Sequence, residues 1–136
     1  NMVAPSAEAA IDMRYKEPGD RDEIVNKIKK IVETSSVRGT TSILEIKGEF
    51  RPLNPTAGSD ALFQTYKASA ATVGLKVEGE FSGGCADSGF TSAVGCPTIC
   101  AVGPVGGHPH TPEEYLEVAS IVPRAQALAL AIMRLG

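Results

Sequence analysis

The sequence predicts an α/β protein: a βαβ layer with helices on one face, followed by alternating helices and strands. Three observations lead there. Residues 7–15 and 41–51 alternate apolar and polar side chains with period two, as half-buried strands do. Between them, residues 21–34 carry apolar side chains at helical spacing. After Pro55, stretches with helix caps and stretches of apolar, β-prone residues follow one another at intervals typical of an open α/β sheet.

Along the chain, Ala9, Ile11, Met13 and Tyr15 form one row of the first strand, with Asp12 and Arg14 on the other. "EPGD" breaks this strand. In "RDEIVNKIKKIVET", Ile24, Ile28, Ile31 and Val32 form the stripe of an amphipathic helix, with Asp20 or Asp22 near its start. In "TTSILEIKGEFRPL", Leu44, Ile46 and Phe50 share one face, and Glu45, Lys47, Glu49 and Arg51 the other. The prolines of "RPLNPT" end that strand. Arg14 and Arg51 thus project from the face without helices, where charged side chains ordinarily meet solvent.

The prolines at 52–58 also mark a domain boundary, giving segments 1–54 and 55–136. In the second, "GSDALFQTYKASAATVG" reads as a helix with Ser59 or Asp60 as N-cap and Gly74 as C-cap. "LKVEGEF" reads as a strand, and Gly83 and Gly84 as a turn. "ADSGFTSAVG" is a short helix, and "CPTICAVGP" a buried strand holding Cys96 and Cys100. "SIVPRAQALALAIMRLG" is a terminal helix opening near Pro123.

Composition narrows the function classes. The 136 residues suffice for one ordinary core. With 13 basic against 16 acidic residues and no tryptophan, there is no basic, base-stacking surface for nucleic acid. No apolar run approaches the roughly 20 residues of a membrane helix, and the opening lacks the order of a signal peptide. Three cysteines cannot all pair internally; free thiols favour a cytoplasmic setting, with an upstream signal left open. They form no C-x-x-C knuckle for zinc.

The chemistry-bearing residues crowd into residues 82–118, which hold all three cysteines and both histidines. A glycine pair before a helix brings backbone N–H groups close to an anion. "SGGCADSGF" is therefore either a carboxylate or phosphate holder or an ordinary turn, with Asp87 as helix cap. His108 and His110 stand two apart and either share a metal or line an exposed glycine-rich loop. "TPEE" fits a capping box of Thr111 with Glu114.

The segment "SGGCADSGFTSAVGCPTICAVGPVGGHPHTPEEYLEVASIVPR" resembles the C-terminal end of the two-zinc exopeptidase and amidohydrolase family that includes carboxypeptidase G, aminoacylase, acetylornithine deacetylase and succinyl-diaminopimelate desuccinylase. The likeness lies in the "GGCAD" turn, the "G-x-P-T" strand, the "GP-x-GG-x-x-H" loop, the "H-T-P-E-E-Y" continuation and the "VPR" helix, in that order. "NMVAPSAEAAIDMRY" and "GEFRPLN" resemble two strands of the family's inserted lid domain, so the resemblance spans essentially the whole chain.

It implies that residues 1–54 are the second half of an α+β lid and dimerisation domain, and 55–136 the C-terminal part of the α/β catalytic domain. His110 corresponds to the last zinc ligand. Arg51 corresponds to the lid arginine that holds the substrate carboxylate, and Arg14 and Asn1 to residues lining the same cleft. Gly84 and Cys85 supply backbone contacts. Cys85 and His108 depart from the family pattern, and no catalytic residue is assigned. The resemblance further implies two zinc ions per active site, which polarise the amide carbonyl and activate a bridging water. It implies a small peptide or N-acyl amino acid as substrate and a homodimer formed through the lid; a glutamate carboxypeptidase is the leading reading, with an acylamino-acid deacylase or a non-catalytic dimerisation or binding module as alternatives. The remaining ligands and the general base are expected upstream in a longer parent, so that this chain alone is expected to hold no zinc and to be inactive.

Overall fold

Pro18 is pre-set for the first turn of a helix, where its missing N–H costs nothing. Helix α1 accordingly starts inside "EPGD" and runs Pro18–Glu33, with Asp20 in its first turn and Lys30 in its last. These charges complement the helix dipole. The computed structural model describes residues 1–136 and divides them into two compact units, Asn1–Lys47 and Gly48–Gly136.

In the first unit, the buried residue of α1 is Val25, flanked by the half-buried Ile24, Ile28 and Val32. Ile31 is 72% exposed, so the packed stripe is rotated from the one the sequence suggests. Thr34 closes the helix, its N–H donating to Ile31 O and its hydroxyl to Lys30 O. The following turn is held by hydroxyls: Ser35 Oγ and Thr40 Oγ1 both donate to Val37 O. Gly39 there takes φ +84°, which suits a residue without a Cβ.

The second unit is built on helices α2 (Ala57–Thr72) and α4 (Val118–Leu135), which pack against each other. Thr56, not Ser59 or Asp60, is the N-cap of α2. Its side chain accepts from Ser59 N at 3.1 Å, and Ser59 Oγ accepts from Thr56 N at 2.8 Å. Ser59 thus closes a capping box from the third helical position. Gly74, at φ +77°, follows the C-cap Val73.

The core consists of Tyr66, Ala70, Val77, Ala127 and Ala131, with Val73, Leu75, Ile99 and Val102 packed around it. Small residues where the helices meet let them approach closely. Two arginines on α4 reach back to α2: Arg124 Nη1 donates to Tyr66 Oη at 3.2 Å, and Arg134 Nη1 to the fully buried Ser69 Oγ at 2.9 Å. Pro123 lies inside α4, which begins five residues earlier than the proline suggested. This 18-residue helix has a mean hydropathy of 1.4, long and apolar enough by composition to cross a membrane, contrary to the expectation that no such run exists. Its apolar side chains here include the core residues Ala127 and Ala131.

The fold is mixed α/β and mostly helical. Short helix α3 (Ser88–Ala93) forms as expected, while the only paired strands are β1 (Gly106–Gly107) and β2 (Tyr115–Leu116). Segments 7–15, 41–51, 75–81 and 96–104 are in neither helix nor ladder. Alternation specifies which side chains share a face, but a strand also needs a partner for each backbone N–H and C=O. The expected parity nevertheless persists at Met13 and Tyr15, which are half-buried, and at Val77, which is buried. Cys96 and Cys100 are exposed free thiols, as is Cys85; the first two do not lie in a buried strand.

Candidate functional site

The histidine loop stands on a two-residue antiparallel ladder. Gly106 pairs with Leu116 and Gly107 with Tyr115, and Glu117 N donates to Val105 O at 2.9 Å. Ser120, in the first turn of α4, extends this anchor: its hydroxyl accepts from Val105 N at 2.8 Å and donates to Glu117 O. Gly107 packs closely, and a Cβ there would lie 2.5 Å from the Tyr115 ring, so that the ring would have to shift. The same ring stands 5.8 Å from that of His108.

Across the top of the loop, His108 and His110 both have left-handed backbones, at φ +53° and +64°. Thr111 Oγ1 donates to His108 O at 2.8 Å, and Glu114 N to Thr111 O at 3.1 Å. "TPEE" therefore forms a turn, and no helix starts at Thr111 for a capping box to close. The Glu114 carboxylate instead accepts the backbone N–H of His110 at 3.3 Å. Glu114 also lines a cavity of about 410 Å³ with Pro104, Gly106, Gly107, Pro109 and Tyr115. His110 itself is exposed.

The glycine turn is held by Ser82, whose hydroxyl accepts from Gly84 N at 3.1 Å; Gly84 and Cys85 are exposed. Asp87 occupies the N-cap position of α3 but makes no side-chain capping bond. Behind it, Gly89 is buried against the backbone of Arg51: a Cβ on Gly89 would lie 1.8 Å from Arg51 O. The rings of Phe50 and Phe90 meet at 5.8 Å beside this contact. The Arg51 guanidinium faces Glu49 at 3.3 Å with 43% of its side chain exposed, leaving it open to solvent on one side.

In the first unit, Arg14 pairs with Asp12 at 2.9 Å, and Asn1 is exposed. The second unit thus seats Arg51 against α3, the helix that the glycine turn leads into. Glu114, Ser120 and Gly89 are the structural partners that sequence reasoning missed. Glu114 stands out in the sequence only through its spacing from Thr111, which suggests a helix cap.

A tight zinc site takes three or four protein ligands. Nowhere in the chain do three His, Cys, Asp or Glu side chains converge to share an ion. The residues present do not fit a metal on their own, and His110 suits one only as a single contributor.

A family model described as peptidase family M20/M25/M40 matches residues 4–134. No curated protein and no solved structure matches the chain.

Proposed function

The chain belongs to peptidase family M20/M25/M40, and on that premise we propose that it forms the substrate-carboxylate clamp and one metal-ligand loop of a metal-dependent exopeptidase. The reaction is hydrolysis of an amide bond next to a free carboxylate, most like that of a glutamate carboxypeptidase. The family match carries this reading, because residues 4–134 take in both the Arg51 segment and the His110 loop.

Each residue has a definite task in it. Arg51 pairs both carboxylate oxygens of the substrate through its planar fork, exchanging its contact with Glu49 for the ligand. Arg14 and Asn1 contribute further contacts to the substrate, and Gly84 and Cys85 offer backbone N–H groups to it. His110 contributes one imidazole to the metal site. The remaining ligands and the general base come from residues outside this chain.

Hydrolysis of N-acyl amino acids uses the same clamp, and the two substrate classes part at the acyl side. Two measurements on the complete enzyme test the proposal. Activity on a peptide ending in glutamate is expected to exceed that on the matching N-acetyl amino acid; the reverse order makes the enzyme a deacylase. His110→Ala is expected to lower activity about a hundredfold and to reduce bound zinc, with a much smaller effect from His108→Ala. Equal and severe losses at both positions would overturn the choice of His110 as the ligand.

A further inference from the structure

We infer that Glu114 is a positioning residue for His110, acting on its backbone. The inference deepens the proposed function, and its value for metal binding rests on the reading of His110 as a ligand. The geometry supports it from below. Tyr115 is locked into β2 opposite Gly107, and Glu114 N is held by Thr111 O at 3.1 Å, so the backbone on both sides of the Glu114 side chain is fixed. From that base, its carboxylate turns back four residues to accept the His110 N–H at 3.3 Å.

His110 needs such a partner because its backbone is left-handed at φ +64°, a conformation that a β-carbon disfavours. Left alone, the residue relaxes toward extended backbone. That change redirects the Cα–Cβ bond, and with it the direction in which the imidazole leaves the loop. A carboxylate holding the N–H in place therefore sets where the ring points without touching it. Thr111 closes the other side of the turn, bonding His108 O through both its N–H and its hydroxyl. Glu113, next in sequence, makes no such bond to His110 and serves as the control.

The test is backbone NMR on the chain, reading amide exchange and the N–H to Hα coupling of His110, which reports φ. In Glu114→Ala, the amide is expected to exchange at least about tenfold faster and the coupling to move toward the value of extended backbone. Glu114→Gln keeps an acceptor oxygen at the same reach and is expected to restore both; Glu113→Ala should change neither. Intact cross-strand amides at Gly107 and Tyr115 identify a local effect as opposed to unfolding. A His110 amide unchanged in Glu114→Ala would overturn the inference, as would a glutamine variant that behaves like the alanine one. The underlying reading fails separately: His110→Ala retaining full zinc in the complete enzyme removes the ligand role, while the NMR result still decides whether Glu114 holds the backbone.

Discussion

Replacing Gly89 by alanine tests whether the Arg51 segment is seated on α3 as described. The added Cβ would stand 1.8 Å from Arg51 O and 2.7 Å from its carbonyl carbon. Both are backbone atoms that no rotamer change can move aside, so α3 and the Arg51 backbone must part by on the order of 1 Å. Overpacking of this kind costs about 1 to 3 kcal/mol, and a rigid backbone neighbour places it at the upper end. Alanine returns up to about 1 kcal/mol as the better helix former. A net loss of about 2 kcal/mol follows, which for a chain of this size lowers the melting temperature by about 7 °C. Thermal unfolding followed by circular dichroism measures it. Gly83→Ala, whose added Cβ would meet nothing within 4 Å, is the control and should stay within about 0.5 kcal/mol of the parent chain. The ring-current shifts of the Phe50 and Phe90 pair should weaken in the Gly89 variant alone. A Gly89→Ala chain as stable as the original, with these shifts intact, would refute the packing argument.

In the complete enzyme, Arg51→Ala is expected to cost about 2 to 5 kcal/mol in kcat/KM on a substrate with a free carboxylate, and Arg51→Lys to recover little. On the matching amide the variants and the parent should converge; an unchanged penalty there would make Arg51 a support of the fold. Arg134→Ala should destabilise the chain by about 2 kcal/mol in urea unfolding, because it removes charged hydrogen bonds to Ser69 and Thr72. Lysine at that position should restore part of the loss. The hydrogen bond and charge of Lys27 hold the Glu23 carboxyl below its usual range. A carboxylate with a lowered folded-state pKa adds stability above its unfolded value that disappears as pH falls through the folded one. An NMR titration of Glu23 should therefore show its midpoint rise in Lys27→Ala, and an unmoved midpoint would exclude the pair as the cause.

The helices were the most legible part of the sequence because a helix satisfies its backbone internally. The apolar spacing of α1, the apolar segment of α4 and the glycine just after α2 are all local signals, although α1 buries Val25 and leaves Ile31 exposed. Strands were not, since their hydrogen bonds depend on segments far away in sequence; the alternation around Ile11 and Ile46 leaves those side chains 72% and 52% exposed. At the candidate site, His110 and Arg51 stood out by type and motif. Their supports did not: Gly89 matters through one close approach to a residue 38 positions earlier, and Glu114 through a backbone N–H. Thr111 and Glu114 also show how one spacing serves two structures, since the pattern of a helix cap here closes a turn.

The two arginines of α4 have a mechanical consequence for the loop at its other end. Arg124 and Arg134 are ten residues apart, which at helical rise is about 15 Å, and each grips a different hydroxyl on α2. The helix pair is therefore gauged at two points, and a slip of one turn, about 5.4 Å, would unseat both at once. Ser120 travels with α4 and holds Val105, the residue from which the ladder to the histidines begins. The ladder that carries the histidine loop is thereby tied to the same helix whose seat on α2 the two arginines fix.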